Sequence, residues 1–170
     1  MNFLIISKVS IPASSRTIPV WEHLLELGHR SWIGHPDKWE ELFPDCLPDA
    51  IISMGVGVME ETFAALRRYP TVPLFCYNWD CYEWAWTNPR PGEYDYKQYG
   101  GLLSLAKEIW VPSLCTARRT EQWWGLTNTH VILSSCPWWD WPEEEIIDGG
   151  YALCTLRTIP DRWGNMFEIT

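Results

Sequence analysis

Short apolar runs alternate along this chain with longer segments of helical period, and each unit takes about 25 residues. This alternation is typical of parallel strands joined by crossover helices, because a parallel connection needs a dozen or more residues. The runs predict strands at 3–6, 31–34, 49–54, 72–77, 108–112 and 130–133. The fold class that follows is α/β, a Rossmann-like parallel sheet flanked by helices.

Residues that begin or end helices stand between these runs. Gly28 and Gly125 follow predicted helices, at the place where a left-handed residue commonly ends a helix. Ser113 precedes another helix and is a candidate N-cap. A short helix that starts at Pro36 is expected to bury one apolar face, made of Trp39, Leu42 and Phe43.

The last part of the chain has a different composition. Residues 134–150 are rich in Trp, Pro and Glu and predict an inter-domain linker. Residues 151–156 read as one more strand, and a helix starts near 163 without room to finish. A strand and part of a helix cannot enclose a core. The expected organisation is a Rossmann-like domain over 1–133, the linker, and the truncated start of a second α/β domain over 151–170, whose remainder is missing.

The charge and the cysteines exclude several classes of function. The chain has 13 Lys and Arg against 22 Asp and Glu, a formal net charge of −9, so nucleic acid is not expected as a partner. No apolar run approaches the ~18 residues of a membrane span, and no signal peptide is recognised. Six cysteines without scaffold spacing predict mostly buried thiols in a reducing, cytoplasmic compartment. No metal site is expected, because the chain has no CxxC or HxxxH pair.

Three segments resemble one known family. Residues 22–30 form a predicted helix ending in Leu-Gly-His, after an apolar strand and a small-residue loop. Residues 106–113 lead from a strand to a serine, and the helix that follows ends in a glycine turn. Residues 151–162 place Arg157 and Arg162 after a strand, similar to the G-R-L-x-P-E-K-G opening of a donor domain. With these segments, the whole chain resembles the amino-terminal half of a GT-B glycosyltransferase of the retaining, family-4-like type.

The resemblance implies transfer of a sugar from a nucleotide-sugar, the co-substrate, to an acceptor bound by this half. Arg157 and Arg162 would hold the donor's diphosphate, and no metal or other cofactor is implied. The sequence departs from the family pattern at Leu156, which replaces a glycine, and the family's acidic donor segment lies beyond Thr170. The resemblance therefore implies that this chain supplies the acceptor side and needs the donor domain to be active.

The candidate site lies at the carboxyl ends of the strands, where ligands bind in open parallel sheets. The resemblance implies a catalytic role for Asp80, which follows the fourth predicted strand. The candidate substrate-binding residues are Ser14, Ser15, Asn78, Trp79, Tyr82 and Ser113. A structural alternative stays open, in which Asp80 and Ser113 are helix N-caps and the two aromatic side chains belong to the core.

The tryptophans predict a surface as well as a core. Thirteen tryptophans exceed what one core of this size needs. The linker holds three of them between two prolines, namely Trp138, Trp139 and Trp141. They are expected to pack against the missing domain, with carbohydrate binding as the alternative. Without that domain, such an apolar patch would promote self-association.

Two other classes of function stay open. One is a non-catalytic binding or interaction module, a Rossmann-like domain whose last strand folds back onto its own sheet. The other is half of a nucleotide-dependent oxidoreductase or epimerase. Gly55 and Gly57 argue against the second class, because the pair lacks the third glycine and the acidic ribose contact of a dinucleotide fingerprint.

Overall fold

The computed structural model describes residues 1–7, 17–79 and 95–132. The strands in this part are β1 Asn2–Ile6, β2 Arg30–Ile33, β3 Ala50–Ser53, β4 Leu74–Tyr77, β5 Glu108–Val111 and β6 Thr129–Val131. The helices are α1 Thr17–Glu26, α2 Asp37–Leu42, α3 Met59–Arg68, α4 Tyr96–Ser104 and α5 Leu114–Trp124, with a 3₁₀ turn Val56–Val58 before α3. The predicted linker and the strand predicted at 151–156 lie outside the described residues.

The strands form one six-stranded parallel sheet in the order β2-β1-β3-β4-β5-β6. The predicted α/β, Rossmann-like fold class is therefore confirmed. The chain first steps outward from β1 to β2 and then returns past β1 to β3. Because crossover connections are right-handed, this reversal puts α1 on one face of the sheet and the later helices on the other. In open parallel sheets a reversal of this kind marks the crevice that binds ligands, which here corresponds to the carboxyl ends of β1 and β3.

The core lies between one face of the sheet and helices α2 to α5. Alternate strand residues supply the sheet side, namely Leu4, Ile6, Ile51, Leu74, Cys76, Ile109 and Val111. The helices cover them with Trp39, Ala65, Tyr99, Leu102 and Leu103, which are all buried, and with part of Ala117. Burial of these side chains is the main favourable contribution to folding, since each removes a large apolar area from water.

Capping residues explain where several helices begin and end. The Ser113 hydroxyl accepts a hydrogen bond from the Thr116 backbone N–H at 3.2 Å, so the predicted N-cap of α5 is confirmed. Gly125 ends the same helix with a φ of 68°. Gly28, with a φ of 77°, follows α1 in the same left-handed conformation. These positions fix the lengths of the helices and hence the directions in which the chain enters the next strand.

The apolar face predicted for α2 is only partly correct. Trp39 is fully buried and Phe43 packs against the core, but Leu42 remains 48% exposed. In α1, Trp21 anchors the helix to the sheet, where its indole N–H donates to the Ser31 carbonyl at 3.2 Å. Leu25 in that helix is exposed. No helix among the described residues has the length and apolar character needed to cross a membrane.

A charged contact joins α2 to the end of α3. The Arg68 guanidinium donates two hydrogen bonds to the two carboxylate oxygens of Glu40, one of them at 2.7 Å, and a third to Asp37 at 3.1 Å. The hydrogen bonds from Arg68 hold the pKa of the Glu40 carboxyl below its ordinary value, against the opposing effect of desolvation. A bidentate geometry of this kind fixes the angle between the two helices.

This contact should make the fold sensitive to acid. Because the pKa of Glu40 is lower in the folded state, the contact contributes stability above the unfolded pKa. That contribution is lost as the pH falls through the folded pKa. We expect the free energy of unfolding, measured with urea, to fall less between about pH 6 and pH 3 in the Arg68→Met variant than in the wild type.

The neighbouring Arg67 provides the control for this experiment. Arg67 is exposed on the same turn of α3, so Arg67→Met removes one positive charge at nearly the same place. This variant should keep the wild-type acid dependence. An Arg68→Met variant with the full wild-type acid dependence would show that the contact does not lower the pKa of Glu40.

Candidate functional site

The candidate site is the carboxyl edge of the sheet around β3 and β4. Topology brings the residues after these two strands together, because β3 and β4 are parallel neighbours. Met54 and Gly55 leave β3 and enter the 3₁₀ turn, while Asn78 and Trp79 leave β4. This edge adjoins the crevice between β1 and β3, which is where open parallel sheets bind ligands.

Tyr77, Trp79 and Gly55 form what we call the edge aromatic cluster. The rings of Tyr77 and Trp79 stack with their centroids 3.7 Å apart and their planes 23° apart. The Gly55 backbone lies against the edge of the indole, so that a β-carbon at Gly55 would stand 3.2 Å from Trp79 Cδ1. Trp79 is half-buried and Tyr77 is buried. The cluster therefore holds an indole at the rim of the sheet in a defined orientation.

Gly55 is required here for its backbone as well as for its size. Its φ of 98° and ψ of 179° lie in a region that essentially only glycine occupies. A glycine directly after a buried strand was a weak signal of this role. The sequence analysis considered Gly55 in the turn after the third strand and as part of an incomplete dinucleotide fingerprint, assigned it to no site, and missed Tyr77. Gly55 follows β3 and Trp79 follows β4, so the sequence of either strand alone does not reveal their contact.

A hydrogen bond anchors the cluster to the strand at the edge of the sheet, β6. The Tyr77 hydroxyl donates to the Ile132 carbonyl at 2.8 Å, which ties the end of β4 to the end of β6. Tyr77 and Trp110 are register partners on β4 and β5. A buried ring that is stacked on one side and hydrogen-bonded at its tip has little rotational freedom. Tyr77 thus gives the Trp79 indole a rigid support.

Asn78 is fully buried and braces the end of β4. Its backbone N–H donates to the Trp110 carbonyl at 2.8 Å, and its side-chain Nδ2 donates to Thr120 Oγ1 at 3.1 Å. Thr120, also fully buried, donates its own hydroxyl to the Thr116 carbonyl at 2.8 Å. This chain of hydrogen bonds joins the candidate site to α5. The substrate contact predicted for Asn78 stays a prediction.

Ser113 lies at the same edge of the sheet, after β5. Its side chain is half-buried and bonded to Thr116, whose backbone N–H and hydroxyl lie 3.2 and 3.1 Å from Ser113 Oγ. This geometry shows that Ser113 is the N-cap of α5, which is the structural alternative. Its additional contact with a substrate stays a prediction.

A buried polar chain lies beneath the edge and fixes the start of α3. The Thr62 hydroxyl donates to the Val58 carbonyl at 2.7 Å. The Ser53 hydroxyl lies 2.8 Å from Thr62 Oγ1 and donates to it, because the single proton of the Thr62 hydroxyl is already used. Cys76 on β4 is the register partner of Ser53. Burial raises the pKa of the Cys76 thiol, and a weaker hydrogen bond with Ser53 opposes this shift. Cys76 is therefore a structural thiol and not a nucleophile.

Two carboxylates lie at the start of α3. Glu60 and Glu61 occupy the first turn of α3, directly after the 3₁₀ turn that Gly55 begins. A helix N-terminus commonly binds phosphate through its free N–H groups and its dipole. Two carboxylates in that turn already complement the dipole and repel a further anion. The start of α3 is therefore unsuited to a diphosphate.

The remaining predicted site residues lie outside the described part of the chain. They are Ser14, Ser15, Asp80, Tyr82, Arg157 and Arg162. The linker tryptophans Trp138, Trp139 and Trp141 lie outside it as well. Within residues 1–7, 17–79 and 95–132, no group of three or more His, Cys, Asp or Glu side chains could hold a metal ion. The described thiols differ in exposure, since Cys76 is buried, Cys46 is half-buried and Cys115 is exposed.

Comparisons with protein-family models, with curated proteins and with solved structures find no match to this chain. The assignment of a function therefore depends on the geometry of the carboxyl edge and on the chemistry of the residues placed there.

Proposed function

We propose that this chain is the acceptor-binding half of a retaining GT-B glycosyltransferase, which transfers a sugar from a nucleotide-sugar to an acceptor held at the carboxyl edge of the sheet. The edge aromatic cluster carries this proposal. Sugar rings present apolar C–H faces that stack on aromatic rings, and Trp offers the largest such surface. In the described structure, Trp79 stands at the edge where parallel α/β domains bind ligands.

The charge distribution supports the proposal that the acceptor and the diphosphate of the donor bind to different parts of the protein. The carboxylates Glu60 and Glu61 make the start of α3 unsuited to a diphosphate, as expected if the acceptor-side domain, residues 1–133, does not hold the nucleotide. In the proposal, Arg157 and Arg162 bind the donor's diphosphate by charge-assisted hydrogen bonds. These arginines stabilise the leaving group, so the proposal needs no metal and no cofactor besides the nucleotide-sugar.

The proposed reaction exchanges one bond of the donor's anomeric carbon for another. The bond to the donor phosphate oxygen breaks, and a bond to an acceptor hydroxyl oxygen forms. The proton of that hydroxyl ends on the leaving phosphate. Asp80, the residue after Trp79, would orient the reacting sugar by accepting a hydrogen bond from a hydroxyl group. Ser14, Ser15 and Tyr82 would contribute further contacts to the substrate.

A second candidate function is a non-catalytic carbohydrate-binding or interaction module. The observation that favours it is the core, since the sheet and helices α2 to α5 enclose a cluster of buried side chains within the described residues. Such a domain could bind a ligand at its carboxyl edge and perform no transfer. Self-association through the linker tryptophans would then be one of its properties. For either function we propose a reducing, cytoplasmic compartment, in which Cys46, Cys76 and Cys115 stay as free thiols.

Thermal denaturation of this chain extended past Thr170 by a donor domain, in the presence of UDP-, GDP- and TDP-sugars, separates these two functions. We expect one nucleotide class to stabilise the chain saturably, by about 2.7 kcal/mol at a hundred times its Kd. The double variant Arg157→Gln/Arg162→Gln should lose this shift. The control variant Arg67→Gln, an exposed cation at the other end of α3, should keep it. Stabilisation by neutral oligosaccharides alone would contradict the transferase and support the binding module, and stabilisation by neither would contradict both.

A further inference from the structure

We propose that Trp21 closes the outer side of β2, so that a strand from a second copy of this chain cannot extend the sheet there. The inference goes beyond the proposed function and does not depend on it, because it concerns the side of a strand and not the carboxyl edge. It gives Trp21 a second role besides anchoring α1, as a contact that keeps the chain from pairing with itself.

The hydrogen bonds of β2 show which of its backbone groups point outward. β2 stands at one end of the sheet that the described residues form, next to β1. The N–H groups of Arg30 and Gly34 donate to carbonyl groups of β1. Alternate residues of a strand direct their backbone groups to opposite sides. Ser31 and Ile33 therefore direct their N–H and carbonyl groups away from β1, where a further strand would pair.

The Trp21 indole lies on one of these outward groups. Its Nε1–H donates to the Ser31 carbonyl at 3.2 Å, from a position in α1. A strand added beside β2 would place a backbone N–H on that same carbonyl, in the space near the indole. Ser31 as a whole is only 7% exposed. The indole therefore competes directly with strand addition at the middle of β2.

Two other features of β2 are among those with which proteins protect an outer strand. The strand has only four residues, and it begins with the exposed cation Arg30. Both features weaken pairing, but neither occupies a backbone group of the strand. The Trp21 contact does occupy one, so its removal is the change that should allow pairing.

A second copy is the partner that this geometry would admit. Two copies that meet along the same strand are related by a two-fold axis, so their β2 strands would run antiparallel. Each copy would then use the outward groups of Ser31 and Ile33 to bond the other. The wild-type chain excludes this pairing, because the indole holds the Ser31 carbonyl in both copies.

Sedimentation velocity of the full chain, over a range of protein concentrations, tests whether Trp21 prevents association. Trp21→Phe removes the indole N–H and part of the ring. It should raise the association constant at least about ten-fold above that of the wild type, as expected for the gain of a hydrogen bond between the copies.

Ser31→Ala is the matched control. The Ser31 hydroxyl has no hydrogen-bond partner among the described residues, and the substitution keeps the carbonyl that Trp21 binds. This variant should associate no more strongly than the wild type.

Hydrogen exchange followed by NMR identifies the surface through which the copies associate. Pairing of two β2 strands should slow the exchange of the Ser31 and Ile33 N–H groups in concentrated Trp21→Phe. The double variant Trp21→Phe/Ile33→Pro should return to wild-type association, because proline removes an outward N–H and no hydrogen bond to β1. Association through another surface would leave both exchange rates unchanged and would persist in the double variant.

Each result decides for or against the inference. Unchanged association of Trp21→Phe, or stronger association without slower exchange at Ser31 and Ile33, would overturn it and leave Trp21 as an anchor of α1 only. Persistent association of the double variant would overturn it as well. If urea unfolding shows that Trp21→Phe does not fold, Trp21→Leu replaces it with the same expected results. The absence of folding in both variants would also contradict the inference, because it would assign Trp21 to the core.

Discussion

Replacing Gly100 with alanine is expected to destabilise the fold by about 2 kcal/mol, although alanine is the better helix former. Gly100 is buried in α4, and a β-carbon there would stand 2.2 Å from Cδ1 and 2.4 Å from Nε1 of Trp124. The indole of Trp124 would have to turn away from α4. That movement would break the hydrogen bond from its Nε1 to the Tyr96 carbonyl, now 3.2 Å long, and its edge contact with Tyr99. These losses exceed the gain in helix propensity.

The adjacent glycine provides a matched control for this prediction. Gly101 lies in the same helix, and a β-carbon there would meet nothing within 4 Å. Gly101→Ala should therefore stabilise the protein by about 0.5–1 kcal/mol, the usual difference between the two residues in a helix. Urea unfolding at constant pH measures both variants. A Gly100→Ala variant at least as stable as Gly101→Ala would contradict the close packing of α4 against Trp124.

The two glycines illustrate what sequence reasoning can reach in this fold. The strands were predictable because a strand buried on both faces reads as a short apolar run, and each run falls within two residues of an observed strand. The caps were predictable because they depend on local chemistry, as Ser113 and Gly125 show. Nothing local distinguishes Gly100 from Gly101. The difference arises from Trp124, which reaches α4 from the end of the next helix.

The dependence of burial on contacts between separate elements also explains the error in the predicted buried face of α2. Helical period indicates that Leu42 should be buried with Trp39, but α2 has only six residues, and Leu42 at its end is exposed while Phe43 packs against the core. Apolar surroundings in the sequence likewise predicted mostly buried thiols, whereas Cys115 is exposed on α5. An apolar residue is buried only if another element covers it, and short helices at an edge of the sheet are covered incompletely.

For the candidate site, the sequence predicted which residues follow the fourth strand but not which residues they contact. Asn78 and Trp79 were predicted from their position after the fourth strand, and they do lie at the carboxyl edge. Their different environments were not predictable, since Asn78 is buried against α5 and Trp79 is half-buried against Gly55. These contacts join segments that are distant in sequence. They depend on strand order, which the alternation of strands and helices leaves open.

Asn78→Asp is the second substitution with a large expected effect, a loss of about 3 kcal/mol at pH 7. The side chain of Asn78 is fully buried, and its Nδ2 donates to Thr120 Oγ1 at 3.1 Å. The substitution replaces this donor with an acceptor and buries a negative charge. Removing one partner from a buried polar pair leaves the other with its full desolvation penalty. Burial of the new charge adds to this cost.

The pH dependence of this loss distinguishes buried charge from a simple loss of packing. Desolvation raises the pKa of the introduced carboxyl in the folded state above its unfolded value of about 3.9. The folded state therefore prefers the neutral form, so the loss is smallest at low pH and grows as the pH rises towards the folded pKa. We expect the difference from wild type to be at least about 1 kcal/mol smaller near pH 4 than at pH 7 in urea unfolding.

Gln98→Glu controls for the chemical change itself, because it converts an amide to a carboxyl at an exposed position of α4. Its effect should stay within about 0.5 kcal/mol. Thr120→Val tests the partner, and it should cost about 1–2 kcal/mol without the strong pH dependence, since no charge is introduced. If Asn78→Asp behaved like Gln98→Glu, the Asn78 side chain would have to reach water. The hydrogen bonds that join β4 to α5 would then not be what holds Trp79 at the edge of the sheet.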